Sequence, residues 1–379
     1  MLSYVRPVIG LRDLFVLWKM RYKLARQSLT KLEKLFDGHI YVSKHERHVL
    51  YHILRDLSWS GKTILVPDFT CPSITEAINR SGNKTITYRI KKPFNIDERS
   101  FREGLGKNPD AVLASHVYGH PMPVRELVLE HFGDDQNKPL LISDLAHAKS
   151  IEPLDDRAEG YNVVLYSLAY YKPMPFPDLG VGVLRKSYPV RDSNNELDDS
   201  VVRTLIELIV FYGREIVLQS PILKLLYQIA PPKVGGSYWS VPPSRVLSSN
   251  VACLEHVIER SQLDFRWQFS YYDQLLAGIP QIHPLTIDRR LATYYPVTVE
   301  PRHRNQIHEF CLKRNIYLGR IFSYIIPDAH GFDRYSDWLA DSVLNFPIGS
   351  HVTVKDMERV GRVLQKYFVI AEKYNENKH

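Results

Sequence analysis

The chain has 379 residues, 44% of them hydrophobic and 24% charged, enough apolar material for one large core or two coupled ones. Its three cysteines, Cys71, Cys253 and Cys311, lie far apart, which supports neither a disulfide framework nor a zinc knuckle, leaves no metal site to expect and fits a reducing cytoplasm. A net charge of +7 and a pI near 9.0 favour anionic partners, yet nothing in the chain has the pattern of a zinc finger or an RNA-recognition module, so nucleic acid is not expected.

The N-terminal segment, residues 1–36, ends in LRDLFVLWKMRYKLARQSLTKLEKLF, where Leu14, Leu17, Trp18 and Tyr22 interleave with Lys19, Arg21, Lys23 and Arg26. This pattern is a basic amphipathic helix, too interrupted to span a bilayer and lacking a small-residue cleavage site. Two readings stay open: an arm packed on the body, or peripheral contact with the inner face of a membrane. From residue 37 short β-rich runs alternate with helical stretches. The runs are IYV (40–42), TILVP (63–67), TITYRI (85–90), AVLASHV (111–117), PLLISD (139–144), NVVLYS (162–167) and GVGVL (180–184), with helices near 46–57, from Pro72 and near 123–132. Such alternation predicts an α/β domain with a mostly parallel central sheet covered on both faces, its chemistry beyond the carboxyl ends of the strands.

Residues 200–230 are apolar but broken by Arg203, Glu207, Arg214, Glu215 and Pro221, which suits two helices better than one span. A loop, PPKVGGSYWSVPPSR, closes the large domain near residue 245. A long helix at 246–277 opens a smaller C-terminal α+β domain, 246–379, with YYPVTVE (294–300), a helix at 303–314 and a closing helix at 354–372.

Three residues fall in order at neighbouring strand ends: Asp144, then Ser167, then Lys172 five positions on. Singly, each has a bland explanation: a cap, a turn residue, a solvated charge. Together they supply a carboxylate able to keep a pyridine nitrogen protonated, a hydroxyl able to bind a phosphate, and an amine on a flexible stem able to form a Schiff base and carry a proton. Arg47 stands at the start of an early helix, where a phosphate can be met by backbone N–H groups and a guanidinium.

The segments TILVPDFTCPSITEAINRSG, SHVYGHP, LISDLAHA and VLYSLAYYK resemble, in order, successive blocks of the nucleotide-sugar aminotransferases labelled DegT/DnrJ/StrS, a branch of the aspartate-aminotransferase fold. LEHVIERSQLDFRWQFSYYDQLLAGIP resembles that family's interdomain helix, and DSVLNFPIGSHVTVKDMERVGRVLQKY its closing strand-and-helix block. The resemblance, from about residue 37 to 370, implies fold type I of the pyridoxal-phosphate enzymes and pyridoxal 5'-phosphate as cofactor. It implies Lys172 as the Schiff-base lysine, Asp144 as partner of the ring nitrogen and Ser167 as a phosphate ligand. His147 falls near the cofactor's phenolic oxygen, Arg47 in the phosphate cup, and Cys71 where a side chain lies over the ring face. It further implies a cytoplasmic homodimer moving an amino group from a donor such as glutamate to a nucleotide-linked keto-sugar, for a surface polysaccharide or glycolipid.

Four departures accompany it. Glu46 stands where the family has a small Gly, and a charge there would repel a phosphate unless it points away. The family's cross-subunit Asn-x-Arg is not recognisable in GGSYWSVPPSR, the Gly-rich stretch after the lysine reads PMPFPDLGVG, and the 200–230 insertion is longer and more apolar than usual. Dehydrating relatives usually replace the lysine by histidine, so Lys172 opposes that chemistry. The alternative from another class is a non-catalytic relative with a structural or membrane-linked role.

Overall fold

The computed structural model describes residues 21–133, 138–149, 151–152, 155–168, 172, 179–188, 197–198, 200, 246–252, 254, 265–320, 326, 335–349 and 351–376. Residues 11–20 of the basic arm, the expected helices of 200–230 and the domain boundary near 245 lie outside them.

In chain order the elements of the first body are α1 (Arg21–Phe36), β1 (Gly38–Ser43), α2 (Glu46–Asp56), β2 (Thr63–Pro67), α3 (Pro72–Arg80) and β3 (Lys84–Tyr88). They continue as α4 (Glu98–Leu105), β4 (Ala111–Ser115), α5 (Val124–Phe132), β5 (Leu140–Asp144), β6 (Val163–Leu168) and β7 (Leu179–Arg185). The seven strands form one sheet in the order β1-β7-β6-β5-β4-β2-β3. Every neighbouring pair is parallel except the two made by β7, which runs antiparallel to β1 and β6. The expected mostly parallel α/β sheet is therefore the fold observed.

Both faces of the sheet are buried, so its strands are continuous apolar runs rather than alternating ones. The two-residue period still sorts side chains. Ala111, Leu113, Leu140, Ile142, Val163 and Leu165 pack on one face with Val49, Leu50 and Ile53 of α2 and Ile74, Ala77 and Ile78 of α3. Val112, Ala114, Leu141, Val164 and Tyr166 face the other way, where Ala25, Leu29, Leu32 and Phe36 of α1 join the core. Thus the described half of the basic arm is a packing helix.

α6 (Ser248–Ala252) packs on the first body, where Val251 and Ala252 share the core with Ala25 and Leu29 of α1; the second body contains α7 (Arg266–Leu276), β8 (His283–Pro284), β9 (Tyr295–Thr298), α8 (Pro301–Leu312), α9 (Tyr335–Ser342), β10 (Val343–Phe346) and α10 (Val354–Glu376). β8, β9 and β10 form an antiparallel sheet. Phe269, Tyr272, Tyr295, Val297, Ile307, Phe346, Met357 and Leu364 share a core of their own. The helix expected at 303–314 begins two residues earlier because Pro301, whose ring presets φ, occupies its first turn. The helix expected at 246–277 does not begin at 246, because Val246 and Leu247 pair as a short parallel strand with Leu197 and Asp198; α6 and α7 are helical parts of that stretch. No helix among the described residues is long and apolar enough to cross a membrane.

Candidate active site

Period-two spacing carries Ser115, Asp144 and Ser167 onto the sheet face covered by α2 and α3, at the carboxyl ends of three adjacent parallel strands. In register, Ser115 lies opposite Asp144, and Ser167 lies opposite Gly180 of β7. Asp144 is buried, with donors fixing both carboxylate oxygens. The Ala146 N–H donates to Oδ1 at 2.9 Å, and the Ser115 hydroxyl donates to Oδ2 at 2.9 Å. Because Ser115 spends its proton on Asp144, its oxygen accepts from the Thr70 hydroxyl, 2.6 Å away. A carboxylate satisfied in this way is held at one orientation.

His147, three residues on, is 3% exposed. The Tyr118 N–H donates to its Nδ1 at 3.1 Å, which places the ring proton on Nε2. Burial, then the nearby Lys172 charge, hold the imidazole well below the usual histidine range, so it is neutral. Lys172 thus lies close enough to act on both His147 and Glu46. Ser167 is buried at the end of β6.

α2 begins against this group. Its N-cap, His45, makes no side-chain cap hydrogen bond, and burial, reinforced by the Arg47 charge, pushes its imidazole down to about 3. Arg47 is half-buried, and its Nε is enclosed without a hydrogen-bond partner. The approach of α2 to β7 depends on glycine. A Cβ on Gly180 would lie 2.4 Å from the Glu46 nitrogen and 2.4 Å from the His45 carbonyl carbon. Cys71 caps α3 by position, half-buried, with Sγ 3.0 Å from the Ser73 hydroxyl.

The structure therefore brings Asp144, His147, Ser167, Lys172, Arg47 and Cys71 to one end of the sheet. Sequence reasoning missed Ser115 and Thr70, which orient Asp144. It also missed Tyr118, whose positive φ of 59° aims its N–H at His147 from the SHVYGHP turn. Glu46, expected as a charge that repels, is instead a 7% exposed side chain beside Asp144. Among the described residues no group of three or more His, Cys, Asp or Glu is arranged to hold a metal.

Residues 48–164 match the model of the DegT/DnrJ/EryC1/StrS aminotransferase family, a stretch that takes in Cys71, Asp144 and His147 and stops short of Ser167 and Lys172. Among solved structures, the sugar aminotransferase CalS13 from Micromonospora echinospora is similar with a TM-score of 0.67 at 16% identity, over 97% of this chain and 100% of that one. DesI, crystallised in the presence of its TDP-sugar product, has a TM-score of 0.69 at 16% identity, over 100% and 95%. NtdA from Bacillus subtilis with bound cofactor PMP has 0.65 at 13%, over 97% and 85%. These likenesses establish the fold. A search of the curated proteins finds no match.

Proposed function

We propose that this chain, whose residues 48–164 carry the signature of the DegT/DnrJ/EryC1/StrS aminotransferases, is a pyridoxal-phosphate aminotransferase acting on a nucleotide-linked keto-sugar, with glutamate as the amino donor. The observation that carries this reading is the Asp144 carboxylate, buried, oriented by two donors, and sharing its strand end with a neutral His147 and the Lys172 amine.

The residues fit the group. When bound, the cofactor supplies an electron-withdrawing ring that stabilises negative charge at the substrate carbon. Asp144 holds a proton at the ring nitrogen, because an anionic acceptor in a buried site favours the charged form of its partner. Nε2–H of His147 would donate to the ring's phenolic oxygen, the Tyr118 N–H at Nδ1 keeping the ring proton on Nε2. Lys172 would anchor the cofactor and, as a free amine, carry the proton at the reacting carbon. Ser167, Arg47 and the first turn of α2 hold the phosphate. Cys71 and the residues around it border the ring face.

A homodimer in the cytoplasm, making sugars for a surface polysaccharide or glycolipid, completes the reading; the support for assembly is the apolar 200–230 segment. The test is incubation of the purified protein and pyridoxal phosphate with glutamate and a panel of nucleotide-linked keto-sugars, with mass spectrometry of the products. An aminated sugar nucleotide is the expected result. Visible cofactor absorbance with no amination of any member would move the reading to another substrate class. Failure to bind pyridoxal phosphate would overturn it.

A further inference from the structure

The family resemblance leaves Glu46 without a role. It stands at the first position of α2, buried, with one oxygen, Oε1, enclosed and without a hydrogen-bond partner. Its carboxyl lies close enough to that of Asp144 for the Asp144 charge to oppose its ionisation. Two buried carboxyl groups at such range do not both ionise, so one of the pair carries a proton. Asp144 receives the Ala146 N–H and the Ser115 hydroxyl, the environment of an anion, whereas Glu46 has an oxygen with no donor at all. The proton therefore belongs to Glu46.

This arrangement is built by the backbone. Gly180 and Gly182 of β7 leave room for α2, whose Glu46 nitrogen lies 2.4 Å from where a Gly180 Cβ would be. The groups facing the Glu46 carboxyl are Asp144 from β5, Lys172 from the segment after β6 and Cys71 from the start of α3. Burial and the Asp144 charge push the Glu46 carboxyl well above the usual carboxylate range, with Lys172 opposing them.

We propose that Glu46 is a positioning residue for the cofactor ring: as a neutral acid it donates a third hydrogen bond to the Asp144 carboxylate, so that the two acidic side chains form one unit with a single negative charge. The proposal rests on the pyridoxal-phosphate reading above. It also removes the conflict that the sequence raises, since an uncharged Glu46 does not repel a phosphate at the start of α2. Asp144 is the group that meets the ring nitrogen. Glu46 acts through it by fixing its orientation and by limiting the site to one charge.

Three variants and two measurements test this. The first is infrared difference spectroscopy at neutral pH on the protein without cofactor, wild type minus Glu46→Gln. A protonated-carboxyl C=O band present in the wild type and lost in the variant is expected. The second is the affinity for pyridoxal phosphate across pH for wild type, Glu46→Gln, Glu46→Asp and Glu46→Ala. Gln keeps an N–H donor and stays uncharged, so it should bind within about threefold of wild type and lack the alkaline step that loss of the Glu46 proton produces. Ala removes the donor and leaves a gap beside Asp144, so binding should weaken by roughly tenfold or more, the worth of one hydrogen bond to a charged acceptor. Asp, one methylene shorter, should fall between Ala and wild type.

Absence of the carboxyl band with cofactor binding intact would overturn the proposal alone. So would Glu46→Ala binding as wild type does, with the same pH profile. A band present in a wild type that binds no pyridoxal phosphate would overturn the cofactor reading and, with it, the positioning role.

Discussion

Asp144→Asn is the substitution that separates charge from shape at this site. The aspartate accepts the Ala146 N–H at 2.9 Å on one oxygen and the Ser115 hydroxyl at 2.9 Å on the other. Asparagine has one acceptor oxygen and one donor nitrogen; its oxygen can take the Ala146 N–H, and its NH2 then meets the Ser115 oxygen, whose hydroxyl turns to donate to Thr70. Two hydrogen bonds to a charged acceptor become bonds with a neutral amide, a loss of about 2 kcal/mol in all. The ring nitrogen loses a comparable amount when its anionic partner becomes neutral, and about 2 kcal/mol corresponds to a roughly 30-fold weaker affinity. Urea unfolding of the protein without cofactor measures the first effect, and spectroscopic titration with pyridoxal phosphate measures the second. A variant that unfolds within about 0.5 kcal/mol of wild type and binds the cofactor within about twofold would refute the reasoning, because Asp144 would then be an ordinary strand-end residue.

Lys172→Ala should abolish borohydride-trappable attachment of the cofactor; a trapped adduct in that variant, found by peptide mapping, would assign the anchor to another lysine. Gly180→Ala should destabilise by about 1–3 kcal/mol in urea, since its Cβ meets backbone atoms of His45 and Glu46 at 2.4 Å and neither can rotate away; unchanged stability would mean that α2 shifts freely. His116 is fully buried, and desolvation, with the Arg157 charge second, pushes its imidazole down to about 3. The folded protein keeps it neutral while the unfolded chain takes up a proton below about pH 6.5, so its contribution is complete above that pH and lost as the pH falls toward 3. His116→Gln should remove up to about 1.4 kcal/mol per pH unit from the acid slope of stability between pH 6 and about 4, and an unchanged slope in that variant would place the titration elsewhere.

The strands were legible because buried parallel strands are short apolar runs bounded by turn residues, and TILVP, AVLAS, LLISD and VVLYS each have that form. Asp144, Ser167 and Lys172 were legible as an ordered set at strand ends. What escaped was information that exists only in three dimensions. Ser115 and Thr70 look like turn residues until the register of β4 against β5 puts one hydroxyl on Asp144 and the other behind it. α4 is eight residues, ERSFREGL, too short for its periodicity to stand out, and it is secured by Asp97, whose side chain accepts the Ser100 N–H. Asp155 and Arg157 carry no sequence pattern that marks them, yet they form a buried ion pair in which Arg157 also donates to the Gly119 carbonyl. Glu46 was visible as an oddity, but the sign of its effect depended on burial and on the neighbour it meets.

The turn that orients His147 is also the point where the C-terminal body is fastened. Gly119, at φ +84°, lies so near Leu291 that a Cβ would sit 2.2 Å from the Leu291 carbonyl oxygen. Thr293 donates its N–H to the Tyr118 carbonyl at 3.0 Å and its hydroxyl to the His147 carbonyl at 2.8 Å, while the Asp288 N–H reaches His120 Nδ1 at 2.9 Å. Residues 288–293 thus form a fulcrum rather than a free linker. Any rocking of the second body is levered onto the 118–120 turn, and the first group to feel it is the Tyr118 N–H that fixes the His147 tautomer. A displacement of residues 288–293 would therefore also turn the imidazole.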